Sequence, residues 1–466
     1  MIKHFYAMLT AAVILGGCVT PSADMPSSVI SLKSVSVPNQ WESRAKLDST
    51  PLGRVEWLSG FDDPTLNDLV EQAYRHNPNL KRLRAQLEIA RAQSKQAKAG
   101  LLPVIEGIAG GTRINGFESA DNSSVNLNLG LDVSWDADIW GGIRASAVAE
   151  EFSLDAAKSD YEAGYQILAA NVAENYFLAI EATGLVEVSK NNLEALETTL
   201  GFVTVQYERG LRSGQDISLI QADTASAKVA YNSSKGARRD ALRALEVLIG
   251  TYPDTQRITS AKPPKVPNLE AIRQPANILN SRPDLRAARS RVLGAYADFD
   301  SAKAAQKPNL SLGGLISGNT DQLGSILNPS ELAATLFVNL TAPIFNGGSL
   351  KAETLLAQAV IDEALADYQE LAIDAFREVE EQFDQGQILK QQEVELDQAL
   401  SHARTALKFT QFRYESAESD LFDVLSAQQR ISSIEAQLVS TRSARLIQYI
   451  NLSLAMGIEP GSFFTR

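Results

Sequence analysis

The sequence predicts a mainly helical chain with a membrane β component, built as a tandem repeat. Three observations predict it. A duplication covers most of the chain, long strands alternate apolar and polar residues without a break, and two proline-free stretches of about 65 residues read as helix.

The duplication is read from spaced markers. His76-Asn77-Pro78-Asn79-Leu80 returns as Ser281-Arg282-Pro283-Asp284-Leu285, and Pro103 returns as Pro308, so both Pro-to-Pro intervals are 25 residues. Ile139-Trp140-Gly141-Gly142 returns, with one inserted Asn, as Ile344-Phe345-Asn346-Gly347-Gly348. Ile249-Gly250 and Pro253 return as Met456-Gly457 and Pro460, and the offset stays between 205 and 207. Repeat 1 is placed at 65–250 and repeat 2 at 281–457. A Pro-rich connector, 251–280, joins them, an anchor and extended segment, 18–64, precedes them, and a tail, 458–466, follows. The connector reads either as a flexible linker or as an extended segment wrapping the outside of the helices.

Each repeat opens with a helix. In the first copy Leu80, Leu83, Leu87, Ala90, Ser94, Ala97 and Leu101 recur at alternating spacings of 3 and 4; in the second, Leu285, Ala288, Val292, Ala295, Phe299, Ala302 and Gln306 fill the same slots. A seven-residue repeat means helices that supercoil against neighbours. Pro78 and Pro283 fit the first turn, and Pro103 and Pro308 stop the helix.

A pair of strands follows in each copy, the first at about 104–114 and 309–318. In the second strand of copy one, Val125, Leu127, Leu129, Leu131, Val133, Trp135 and Ala137 alternate with Asn126, Asn128, Gly130, Asp132, Ser134, Asp136 and Asp138. Copy two has Leu336, Val338, Leu340, Ala342 and Ile344 on one face. Membrane strands need about 9–11 residues and alternate apolar-out, polar-in. Each chain thus offers four strands, too few to close a barrel. Two chains would supply eight and three would supply twelve. The Gly pairs Gly141–Gly142 and Gly347–Gly348 serve as strand-to-helix joints. Trp135, Trp140 and Phe345 beside them fit a membrane interface or core packing.

After each joint comes a long helical hairpin. Its first arm runs from about Ile143 to Tyr207, or from Leu350 to Tyr414. The turns fall at Glu208–Gln215 and Glu415–Asp420, and the return arms end near Ile249 and Met456. The copies differ most at the turns, where Gly210 faces Ala417 and Ser218 is matched to Asp423.

The N-terminus reads as a secretory signal over 1–17: Lys3, then an apolar stretch from Phe5 to Leu15, ending in Leu15-Gly16-Gly17-Cys18. This resembles the bacterial lipobox, in which the cysteine becomes the lipidated first residue. Cys18 is the only cysteine of the chain. The alternative is an ordinary signal with an incidental cysteine. Val19 follows, and by resemblance to lipoprotein sorting in Gram-negative bacteria this favours the outer membrane. The net charge of −13 argues against a nucleic-acid partner.

The three histidines form no ligand pattern, and no nucleotide loop or nucleophile motif is present. No enzyme, metal or cofactor is expected, apart from covalent lipid on Cys18. Asp420 and Asp423 stand near a helix start. They read as an N-cap or dipole pair, or, in a symmetric tube, as rings of carboxylates selecting cations.

Trp57-Leu58-Ser59-Gly60-Phe61-Asp62-Asp63-Pro64-Thr65-Leu66, then Ala73 and Asn77-Pro78-Asn79-Leu80, resemble the opening of the outer-membrane factors, the TolC-like outer-membrane efflux proteins. Arg413-Tyr414 and Asp423-Val424-Leu425-Ser426-Ala427-Gln428 resemble their second hairpin-turn motif. The likeness is nearest to the lipid-anchored multidrug branch. It implies a homotrimer with a twelve-stranded outer-membrane barrel continuous with a twelve-helix periplasmic tube. It also implies docking to a periplasmic adaptor protein and an inner-membrane transporter, within outer-membrane lipids. Tyr414 matches a gate tyrosine and Asp423 the first of two inward acidic positions. The second acidic position is Ser426 here, and a basic gate position is Ser419. The Arg-Tyr-x-x-Gly pattern is split between Gln206-Tyr207 with Gly210 and Arg413-Tyr414 with Ala417. The function implied is a passive exit duct for small molecules. A conduit for type I protein secretion, and a non-conducting envelope scaffold or adhesin, are the alternatives.

Overall fold

The computed structural model describes residues 41–42, 56–114, 124–255, 262–267, 275–325, 328–329, 332–416 and 418–460. The elements run α1 (Pro64–His76), α2 (Pro78–Ala99), β1 (Val104–Ile114), β2 (Ser124–Ala137), α3 (Gly142–Glu208), α4 (Gly214–Leu248), α5 (Pro275–Ser281), α6 (Pro283–Ala304), β3 (Asn309–Thr320), β4 (Leu332–Thr341), α7 (Ser349–Glu415) and α8 (Leu421–Ala455). The repeat is visible in the lengths: α2 and α6 have 22 residues each, α3 and α7 have 67, and α4 and α8 have 35. At 1.5 Å per residue, each 67-residue arm is about 100 Å long.

Two compact units emerge, and each takes pieces of both repeats. One holds 86–158 and 287–370; the other holds the remaining described residues. The first contains a four-stranded antiparallel sheet in the order β1-β2-β3-β4. Its register pairs Val104 with Ser134, Leu131 with Ile316 and Gly313 with Phe337. The Phe337 ring lies where a side chain at position 313 would stand, so glycine there lets the ring lie flat across the strand pair. On the apolar face Leu131, Leu336, Val338 and Leu340 are exposed, the last three by 68–75%. A half-buried sheet of a soluble domain would cover them.

Two expected boundaries shift. Ala342 and Ile344 lie beyond β4, because Pro343 has no N–H to donate to a ladder. Asp138 leaves the β2 alternation and caps α3: its carboxylate accepts from the backbone N–H of Ile143 at 3.0 Å and of Arg144 at 2.8 Å. In the connector, Pro275–Ser281 is helical rather than irregular, with Pro275 at its first position.

In the second unit, the segment from Trp57 to Leu66 is a built plug. Trp57, Leu58 and Phe61 are buried, and Phe61 packs on Phe177 and Tyr449 at ring distances of 5.0 and 5.2 Å. Asp63 accepts from the N–H groups of Thr65 and Leu66, capping α1, and from the Tyr176 hydroxyl at 2.8 Å. Each hairpin closes on the start of its own repeat. Gly250 (φ +74°) and Gly457 (φ +66°) end α4 and α8 in left-handed turns. Gly250 lies against the His76 backbone, and Gly457 against Ser281 and Arg282. Asn77 and Arg282 stitch the same two joints, donating to the carbonyls of Leu248 (2.8 Å) and Ala455 (3.3 Å). In the connector, Pro267 packs by Gly60, and Lys262 and Pro263 line a small cavity with Phe177 and Leu446.

Candidate functional site

The two hairpin tips of the second unit pack together. Leu196 and Val203 of α3, Ile220 of α4, Tyr414 at the end of α7, and Leu421 and Val424 of α8 form one buried apolar cluster. The Tyr414 ring is 4% exposed and sits edge-on to Phe202 at 6.3 Å. Arg212, from the turn of the first hairpin, lays its guanidinium over that ring, 3.9 Å from the centroid, and donates to the Tyr414 carbonyl at 2.8 Å. The Tyr414 hydroxyl is buried, with no hydrogen-bond partner among the described residues. Burial pushes its pKa up, against the opposing charge of Arg212. Gln428 adds a bond from its amide to the Thr199 hydroxyl at 3.2 Å.

The turns differ in how they begin the return arm. In the first, Ser213 and Asp216 form a reciprocal capping box. In the second, Asp420 occupies the cap position with no side-chain cap bond, and Asp423 stands in the first turn. Both aspartates are exposed. Since α4 begins at Gly214 and α8 at Leu421, the offset here is 207. Asp423 therefore matches Asp216, not Ser218, which corrects the pairing read from the sequence. The offset grows from 205 to 207 at the strand-to-helix joint, where Asn346 is inserted, and stays at 207 through the turn.

At the joints of the first unit, Gly141, Gly347 and Gly348 have φ of +74°, +64° and +89°. A side chain on Gly142 would meet Ala304 at 2.8 Å. The Trp135 indole donates to the Leu101 carbonyl (3.0 Å), two residues before Pro103, and the Trp140 indole donates to that of Pro308 (2.7 Å). Trp135, Trp140 and Phe345 are 38%, 53% and 92% exposed, so the chain itself gives none of them a core.

A profile of the outer membrane efflux protein family matches residues 69–251 and 275–458. The chain belongs to that family. The pyoverdine export outer membrane protein OpmQ of Pseudomonas aeruginosa is 27% identical over 97% of this chain and 96% of its own. The probable outer membrane lipoprotein SilC of Salmonella typhimurium is 24% identical over 98% and 99%. The crystal structure of the Campylobacter jejuni CmeC outer membrane channel superposes with a TM-score of 0.82, at 23% identity, over 91% of this chain and 92% of that one. The protein is thus an outer-membrane efflux channel component and not an enzyme.

Within this family member, the sequence-predicted tip residues scatter. Tyr414 is buried between the hairpins. Tyr207 is 47% exposed, Arg413 is exposed and donates to the Glu418 carbonyl of its own turn (3.0 Å), and Ser426 is half-buried. Ser419 carries no cation, but a cation reaches Tyr414 from the other hairpin. Sequence reasoning missed Arg212; its only signal was its place opposite Ser419 once the 207 offset is applied. Cys18 and Ala417 lie outside the described residues. Among the described residues no helix is long and apolar enough to cross a membrane, and no cluster of metal-ligating side chains occurs.

Proposed function

We propose that three copies of this chain form a passive exit duct for small molecules, opened by a periplasmic adaptor protein and energised by an inner-membrane transporter. The carrying observation is the uncovered apolar face of a four-stranded sheet whose edge strands, β1 and β4, have no outer partner among the described residues. Exposed ladder edges and an exposed apolar face call for closure with further strands in a lipid setting. Twelve strands from three chains would do this, with the long hairpins lining the continuing passage. Lipid on Cys18 would add an anchor, as the name of SilC states for that relative. OpmQ is named for pyoverdine and CusC for cations, so the duct reading fits more than one class of small cargo.

Planar-bilayer recording of the purified protein tests this. Discrete ion channels are expected, and Asp423→Ala is expected to weaken cation over anion preference in a salt gradient. Complete electrical silence, in gate-loosened variants as well, would favour a non-conducting scaffold. An unchanged reversal potential would remove Asp423 from selectivity.

A further inference from the structure

The strand register sorts the sheet into two faces. Leu131 pairs with Ile316, Trp135 with Leu312 and Leu310 with Leu340 on the apolar face. The opposite face carries Glu106, Asp132, Asp136, Ser311 and Asn339, and in a closed barrel it looks into the lumen. Phe337 departs from this division. It alternates with Leu336 and Val338, so it stands on the polar face, and it is the one aromatic residue there among the described strands. A ring on a wetted wall, repeated in each copy, is either an obstruction or a seated part of the wall. The glycines decide which. Three of them lie on the polar face, and each is closed over by its neighbour. The Asn128 side chain takes the place of a Cβ on Gly110, and the Phe337 ring takes that of one on Gly313. A Cβ on Gly130 would meet the Ile316 carbonyl at 2.6 Å and Ser317 Cβ at 2.9 Å. Glycines of the apolar face are not closed in this way. A Cβ on Gly107 would meet nothing, and one on Gly111 or Gly314 nothing nearer than a leucine methyl at 3.1 Å. On its other side Gly313 pairs with Ser134, a second small residue, so nothing beneath the ring lifts it.

We infer that Gly313 and Phe337 together set the bore of the barrel, and so the size of cargo that it passes. This rests on the duct proposed above. With glycine at 313 the ring lies flat across β3, and the wall stays smooth at that height. A side chain at 313 takes the ring's seat, because an aromatic ring laid over a strand glycine uses the space of the missing Cβ. The displaced ring then rises from the wall in every copy, all at one level. The selection is steric: it falls on bulky molecules and spares the smallest solutes. The pair acts within the strands, far along the chain from the hairpin turns, and needs no charge.

The test uses the full-length protein in intact cells, with Ser311→Cys as a reporter. Ser311 lies on the polar face, nearer the helices than Gly313, so a reagent entering from the loop end of the strands passes Phe337 first. Poly(ethylene glycol) maleimides of graded size are added outside, and labelling is read against the chain that carries Cys18 alone. Gly313→Val is expected to lose labelling by the largest reagents that reach the reporter in its parent, while the smallest still labels. Phe337→Ala added to Gly313→Val is expected to restore the parent's size limit. Gly314→Val, next door on the apolar face, is expected to leave that limit where it was. Gly313→Ala carries the same expectation as Gly313→Val and replaces it should the larger side chain prevent assembly. The inference is overturned if neither substitution at 313 lowers the limit, if removing the ring restores nothing, or if Gly314→Val lowers the limit equally. A reporter that not even the smallest maleimide reaches in the parent would sink the duct reading, and this inference with it, because the polar face would then line no open passage.

Discussion

Tyr414→Phe separates two roles that a buried tyrosine at a gate could play. The hydroxyl has no hydrogen-bond partner among the described residues, although the residue is 4% exposed. An unmet buried hydroxyl costs about 1–3 kcal/mol. The ring makes the useful contacts, with Phe202 at 6.3 Å and with Arg212 at 3.9 Å, and neither needs the oxygen. The Phe variant is therefore expected to hold the tips at least as tightly as tyrosine does. Tyr414→Ala removes the ring, at a cost of about 3–5 kcal/mol. At 1.4 kcal/mol per factor of ten, the two variants should differ more than about a hundredfold in tip opening. Hydrogen exchange over 193–203 and 418–428, read beside single-channel open probability, measures this directly. The phenol adds a pH signature. Its pKa is raised in the folded state by burial, so its contribution is fully present below the ordinary phenol range and is lost as pH rises through the folded value. Wild-type tips should loosen at strongly alkaline pH by a step that the Phe variant lacks. A Phe variant that exchanges and opens like the Ala variant would refute the reasoning, because it would mean the hydroxyl is bonded in the working assembly.

Asp63→Ala removes both the cap of α1 and the acceptor for Tyr176, so exchange across α1 should quicken by about 2–4 kcal/mol. In a Tyr176→Phe background only the cap loss of about 1 kcal/mol should remain, and strictly additive losses would deny the coupling. Glu174, half-buried in α3, has its carboxyl pKa raised by burial against an opposing hydrogen bond from Asn451. Its ionisation at neutral pH therefore costs stability, and Glu174→Gln should raise the thermal midpoint at pH 7 but not at pH 4. A gain that persists at pH 4 would assign the effect to packing. Cys18→Ser should abolish metabolic labelling with palmitate while leaving barrel insertion possible; retained label would refute the lipobox reading.

The large elements were legible because they obey simple periodicities. The Gly joints and the polar turns bracket α3 and α7 to within a residue, and the alternation from Val125 to Ala137 marks β2. Where legibility failed, a single residue served a tertiary purpose that periodicity does not encode. Asp138 looked like one more polar strand position, yet two free backbone N–H groups of α3 claim it. Pro343 ended β4 before Ile344 despite an apolar pattern that continued. Arg212 was invisible for a different reason: its partner, Tyr414, is 202 residues away, and no local rule pairs a turn arginine with a distant ring.

The corrected match of Asp216 with Asp423 changes what duplication can be said to have done at the tips. Both copies retain an acid three residues into the return helix, where the exposed N–H groups of a helix start favour negative charge. In the first copy Ser213 closes a capping box with that acid, and its charge is spent on its own turn. In the second copy the serine is replaced by Asp420, which makes no cap bond, so two uncapped carboxylates face water within one turn. Neither gains from the other, since side chains three positions apart at a helix start are neighbours and like charges there repel. A turn selected for stability alone would keep the capping box that its sister already has. The second tip gives that stability up and gains exposed negative charge, and the first tip supplies the arginine that fastens it. Divergence between the copies has thus divided the labour, with one hairpin turn fully capped and the other carrying exposed charge with a weaker cap.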